Sequence, residues 1–184
     1  QRADVVIAID GAMDKLCADR MVRPESRVCL ADSILGVGGR EGTPKPDVST
    51  VEAFKRTLVA ARAVAYSRAG ASGIYFTGLV ERLGIAAEVK ARAVAIPMGF
   101  TGEKVASGEA DIAIQQVSEL MSVPGIDVAG PFPAEIQTVS TFDAAIFADA
   151  ANPQGAAAFM AELSSPAAAK AYADGGLVSR LPKP

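Results

Sequence analysis

Short apolar runs that stop at turns containing Gly, Ser or Asp recur along this chain, and a segment with helical spacing follows most of them. That alternation admits few architectures. Strand, turn, helix and strand in repetition lay helices across a largely parallel sheet, which is the α/β class. Residues 3–9, ending at Asp10-Gly11, have the length and flanks of a buried strand of a parallel sheet. Helical spacing over residues 12–21 is stopped by Pro24. A second strand spans Val28–Val37, and the Gly- and Pro-rich residues 38–46 predict a loop or a crossing between lobes. Ser49-Thr50-Val51-Glu52 reads as a capping box with Ser49 at the cap, opening a helix that runs toward Ala61. Further strands are expected at 64–66, 91–96 and 110–116, with extended segments at 126–129 and 136–148. Helices are expected at 74–83, 103–107, 117–121, 153–163 and 166–173.

Open α/β sheets bind ligands outside the carboxyl ends of their strands, so the loops that follow strands are the positions to inspect. Residues 66–73 form a small-residue loop between a strand and a helix. Ser67, Ser72 and Gly73 let a ligand come close to main-chain amides at a helix start, where the partial positive charge favours an anion, and Arg68 adds a full charge. A plainer alternative stands beside this one: Ser72 is the helix cap and the glycines are turn residues. Residues 97–102, with Met98 and Gly99, make a second loop of the same kind, or an ordinary turn between strand and helix. Gln115 and Gln116 end a strand, and alternation sends them to opposite faces. Gln116 is either a neutral ligand contact or a cap for the next helix. Of the aspartates, Asp10 at the end of the first strand is retained as a cleft residue, the others being assigned to caps and turns.

The composition removes several chemistries. The chain has no histidine, which eliminates the commonest general base, the Ser-His and Cys-His pairs and the usual zinc sites. No cofactor or metal is expected. With 18 basic and 21 acidic side chains the net charge is −3, so nucleic acid is not an expected partner. No apolar run reaches the roughly 18 residues of a membrane span, and no membrane insertion is expected. Cys17 and Cys29 either pair across the turn between a helix and a strand or are two buried small hydrophobes.

Three stretches carry a family resemblance. Ala3-Asp4-Val5-Val6-Ile7-Ala8-Ile9-Asp10 is one. The second is Ala63-Val64-Ala65-Tyr66 leading to Ala71-Ser72-Gly73-Ile74-Tyr75 and then to Leu79-Val80-Glu81-Arg82-Leu83-Gly84. The third is Val105-Ala106-Ser107-Gly108-Glu109-Ala110-Asp111-Ile112-Ala113-Ile114, and the segment from Leu163 through Pro166 to Gly175-Gly176-Leu177 is a matching ending. Together they resemble the periplasmic solute-binding proteins of the molybdate-binding type over nearly the whole chain. The resemblance implies a two-lobed, periplasmic-binding-protein-like (type II) clamshell of mixed sheets flanked by helices. One lobe would comprise residues 1–36 and 139–184 and the other residues 37–138. It also implies ligand contacts at Ser72 and near Met98, and it puts Gln116 where the family uses a tyrosine. Two serine contacts of the first lobe would precede Gln1, so the chain is expected to be incomplete.

The expected function is that of a monomeric periplasmic receptor without enzymatic turnover. It would capture molybdate, tungstate, another oxyanion or a small carboxylate for an ABC permease. Two alternatives are an effector-sensing domain of a transcriptional regulator and an isomerase on the same scaffold, with Asp10 or Tyr66 moving the proton.

Overall fold

A computed structural model describes residues 3–182. In chain order the elements are β1 (Val5–Ile9), α1 (Asp10–Ala18), β2 (Val28–Arg40), α2 (Val51–Ala60), β3 (Val64–Ser67), α3 (Ala71–Arg82), α4 (Ala86–Lys90) and β4 (Ala93–Ile96). They continue with α5 (Gly102–Ala106), β5 (Ile112–Gln116), α6 (Val117–Met121), β6 (Ile126–Pro131), β7 (Val139–Ile146), α7 (Pro153–Leu163), α8 (Pro166–Asp174) and β8 (Val178–Ser179). The fold is mixed α/β, and the chain divides into two units, Gln1–Ser33 with Val139–Pro184, and Ile34–Thr138.

In the unit Ile34–Thr138 the strand order is β6-β2-β5-β3-β4. β5, β3 and β4 are mutually parallel, while β2 runs antiparallel to both of its neighbours. Period-two alternation sorts large from small residues. Val64, Ile112 and Ile114 join Phe54, Leu58, Phe76, Leu79 and Val80 of α2 and α3 in one core. Ala63, Ala65 and Ala113 point to the opposite face, under Val105 of α5 and Leu120 of α6. Phe54 and Phe132 meet edge to face at 4.7 Å within the larger core.

Several local expectations are corrected here. The loop expected from residue 38 is strand: β2 continues through Gly38-Gly39 to Arg40. Gly36 and Gly38 serve packing. A Cβ on Gly36 would stand 2.8 Å from Val117 Cγ2, and one on Gly38 would stand 3.0 Å from Leu120 Cδ2, so α6 lies directly on the strand backbone. The cap of α2 is Thr50, whose Oγ1 accepts from the Ala53 amide, and Ser49 bonds to Asp47 instead. Thr50→Ala is therefore expected to cost about 1 kcal/mol in denaturant unfolding, and Ser49→Ala much less. A further short helix, the five-residue α4, is anchored by buried Val89.

In the other unit, β1 pairs antiparallel with β7, which corrects the expected buried parallel strand. β1 is only half covered, with Ile7 49% and Ile9 37% exposed. β7 lies between β1 and β2, and β8 pairs with Ala31-Asp32 of β2. α7 and α8 each carry Pro in the first turn behind a side-chain cap, Asn152 and Ser165 respectively. Their Ala-rich faces close a core containing Leu30, Ala144, Ile146 and Met160. Buried Asp143 is held by Arg27 (Nε to Oδ2, 2.7 Å). Cys17 and Cys29 are free and partly buried, so the disulfide alternative fails. Burial raises the pKa of the Cys29 thiol.

A candidate anion-binding edge at the ends of three parallel strands

Because β3 runs parallel to both β4 and β5, their carboxyl ends share one edge of the unit Ile34–Thr138. Ser67 is level with Ile96, and Tyr66 with Ile114. Three loops leave from that edge: residues 68–70 into α3, residues 97–101 into α5, and Gln116 directly into α6.

The first loop is tied from within. Ser67 Oγ accepts from the Gly70 amide at 2.9 Å, and the Arg68 amide donates to the Ile96 carbonyl at 2.7 Å. Gly70 is the cap residue of α3, so Ser72 is not the helix cap; it sits inside the first turn, 7% exposed. The Gly73 and Ile74 amides turn back to the Gly70 carbonyl. Those of Ala71 and Ser72 belong to the first turn, whose amides have no acceptor within a helix. α3 has twelve residues, long enough for its amino end to favour negative charge. Gly73 has a different task from ligand contact. A Cβ there would lie 1.6 Å from the Ser67 carbonyl oxygen, so its lack of a side chain lets the helix rest on the strand end. Arg68 is exposed, with Nη2 at 3.5 Å from the Ala95 carbonyl.

The second loop is held from behind by a residue that sequence reasoning did not choose. Gln115, 4% exposed, accepts at Oε1 from the Thr101 amide (2.7 Å) and from Thr101 Oγ1 (2.9 Å). Its Nε2 donates to the Gly99 carbonyl at 3.3 Å. Gly99 has φ +89°, a backbone shape that suits glycine. Met98, 82% exposed, and Phe100, 38% exposed, flank it on the outside. Thr101 is wholly buried and its amide is consumed by Gln115, so the anion-facing capacity of this loop rests on residues 98–100.

Gln116 forms a reciprocal capping box with Glu119, the Gln116 amide donating to Glu119 Oε2 at 3.3 Å. Its cap function is thus realised. Glu119 is half-buried, and burial raises its pKa, partly offset by hydrogen bonds from the Gln116 amide and the Gln115 side chain.

Ser67, Ser72, Gly73, Met98, Gly99 and Gln116 therefore lie on one edge of one unit. Asp10 belongs to the other unit, where it is the exposed first residue of α1, its Oδ1 accepting from the Gly11 amide. Tyr66 packs against Phe76 at 5.3 Å between ring centres, beside the core. A separate cavity of about 610 Å³ on the same unit is lined chiefly by Ile34, Val48, Pro131, Phe132 and Gln137. The Gln137 amide is spent on the Leu35 backbone. Among the described residues no cluster of three or more metal-ligating side chains occurs, and no helix is long and apolar enough to cross a membrane.

Comparison with known proteins adds three findings. The family model described as bacterial extracellular solute-binding protein matches residues 1–178. A protein from a Pseudomonas species named aconitate isomerase is 42% identical over 176 residues, covering 95% of this chain and 67% of its own length. Among solved structures, the periplasmic molybdate-binding protein of Azotobacter vinelandii superposes with a TM-score of 0.75 at 23% identity, over 100% of this chain and 80% of that one. A substrate-binding domain assigned to a molybdenum ABC transporter of Clostridium difficile gives 0.73 at 18% identity, over 96% and 76%. These structures establish the type II periplasmic-binding-protein fold, and at such identities they say nothing about molybdate for this chain. The isomerase relative overturns the expectation of a receptor without turnover, since the relative's name is that of an enzyme. By the family match over nearly its full length, the chain is a member of the bacterial extracellular solute-binding proteins.

Proposed function

We propose that the protein binds a small polycarboxylate of the aconitate type on the loops at the ends of β3, β4 and β5, and isomerises it there. The observation that carries this reading is the 42% identity to an aconitate isomerase across 95% of the chain. The geometry agrees with it. Aconitate is a propene bearing three carboxylates, and amides at the start of α3, residues 98–100 and Arg68 are donors suited to carboxylate oxygens. Isomerisation by a proton shift needs neither metal nor redox partner, which suits a chain without histidine. Stabilisation of the negative charge that spreads onto a carboxylate during that shift is the task main-chain amides perform well.

Solute-binding family membership supports a location outside the cytoplasmic membrane and delivery of ligand to an ABC permease. Both are compatible with turnover on the same site. Molybdate and tungstate rank below the carboxylate in this proposal, because the tyrosine expected from the resemblance is Gln116, already engaged as a helix cap.

The test is to add purified protein to one geometric isomer of aconitate and follow the other by proton NMR. Interconversion above the protein-free rate is expected, and its absence at high protein concentration rejects the reading. Ser72→Ala is expected to weaken aconitate binding measured calorimetrically while leaving stability within about 0.5 kcal/mol, since Ser72 is not the cap. A stability loss without an affinity change would return Ser72 to a structural role.

A further inference from the structure

The loop of residues 97–101 carries apolar side chains beside its amides, and its hydrogen bonds keep them out of the core. The Gly99 carbonyl accepts from Gln115 Nε2 at 3.3 Å, and the Phe100 carbonyl accepts from the Glu103 amide at 3.2 Å. Gln115 thus braces Gly99 and Thr101, on either side of Phe100, while Gly99 holds φ +89°. With those carbonyls engaged, Gly99 and Phe100 have their amides left to offer a ligand, together with the Phe100 ring. Phe100 is 38% exposed and Met98 82% exposed.

A phenyl ring and a thioether standing in water next to anion donors gain free energy when an apolar body covers them. Methionine, flexible and polarizable, adapts to an irregular partner. An inorganic oxyanion has no apolar body, whereas a polycarboxylate of the aconitate type has one in its carbon skeleton. We propose that Met98 and Phe100 form an apolar wall against the carbon skeleton of the ligand, and so favour an organic carboxylate over an inorganic oxyanion. This assignment rests on the function proposed above and adds to it a contact that main-chain amides do not supply.

Two measurements on the full protein test the wall. In the first, hydrogen peroxide oxidises the methionines with and without saturating aconitate, each thioether taking one oxygen and releasing water, and peptide mass spectrometry follows every sulfoxide. Met21 and Met121, 50% and 51% exposed and outside the loop, are internal controls. Aconitate should slow oxidation of Met98 several-fold while Met21 and Met121 oxidise at their free rates. An unchanged rate at Met98 overturns the wall. So does protection that grows with protein concentration in the absence of aconitate, which assigns the loop to a second copy of the chain.

In the second, calorimetry with Phe100→Ser should show aconitate affinity reduced roughly tenfold, the size expected when part of an apolar side chain's burial is lost. Sulfate, which has no carbon skeleton, should behave with this variant as it does with the parent, and Phe100→Leu, still apolar, should keep most of the aconitate affinity. Undiminished aconitate affinity in Phe100→Ser, or a loss that Phe100→Leu shares in full, overturns the assignment. A parent protein that does not bind aconitate refutes the proposed function itself, and the wall falls with it. A parent that binds aconitate while Met98 oxidises at its free rate leaves that function standing and refutes the wall alone.

Discussion

Gly73→Ala should lose about 3 kcal/mol or more of unfolding free energy, and its anion-binding edge with it. A Cβ at this position meets the Ser67 backbone at three atoms: the carbonyl oxygen at 1.6 Å, the carbonyl carbon at 2.6 Å and Cα at 3.2 Å. No rotamer change relieves a clash with backbone, so either α3 lifts off the end of β3 or the loop of residues 68–70 rebuilds. A typical domain has a stability of about 5–15 kcal/mol, and a loss of this size removes a large part of it. Gly78→Ala on the same helix is the matched comparison. Its Cβ would meet only Arg82 Nη1, at 3.6 Å, and the substitution is expected to be neutral or to stabilise by up to about 1 kcal/mol. Urea unfolding of the two variants checks the pair. Equal midpoints would mean that α3 does not rest on Ser67.

The second large effect is expected at Gln115→Leu. Leucine fills a similar volume but strips the buried Thr101 amide and the Gly99 carbonyl of their partners, and leaves Thr101 Oγ1 only the longer bond to the Ile114 carbonyl at 3.3 Å. Buried groups left unsatisfied cost about 1–3 kcal/mol, so a loss of about 2–3 kcal/mol is expected in denaturant unfolding. Aconitate affinity should fall as well, because residues 98–100 lose the strut that fixes them. Gln115→Glu is the informative companion, since a carboxylate still accepts from Thr101 but cannot donate to the Gly99 carbonyl. A Gln115→Leu protein with unchanged stability and affinity would show that the loop stands without this residue.

Where an element is long and its caps are explicit, its residues alone locate it. The Pro-started α7 coincides with the expected 153–163, and even the short α6 lies where it was expected, at 117–121. The failures share a physical cause, which is that the deciding contact is distant in sequence. Gly38 looks like part of a loop until Leu120 of α6 is seen lying against it. β1 has the composition of a parallel strand, but its partner is β7, more than a hundred residues later. The cap of α2 is the exception, decided locally: Asp47 engages Ser49, and Thr50 caps the helix.

The candidate site divides in the same way. That Ser67, Ser72, Met98, Gly99 and Gln116 stand at strand ends and in the loops or helix starts that follow was legible, because these are local features. The role of Gln115 was not. Which of two consecutive glutamines faces the second loop depends on which helix covers which side of β5, and that is decided by α5 and α6 meeting the Ala63, Ala65 and Ala113 face.

The central claim is that a small carboxylate anion is held by main-chain amides at the carboxyl ends of β3 and β4. A ¹⁵N–¹H correlation spectrum of the labelled protein titrated with aconitate tests this most directly. The amides of Ala71, Ser72, Met98, Gly99 and Phe100 should show the largest, saturable shifts. Shifts centred instead on the cavity of Val48, Phe132 and Gln137, or none at millimolar aconitate, would contradict it.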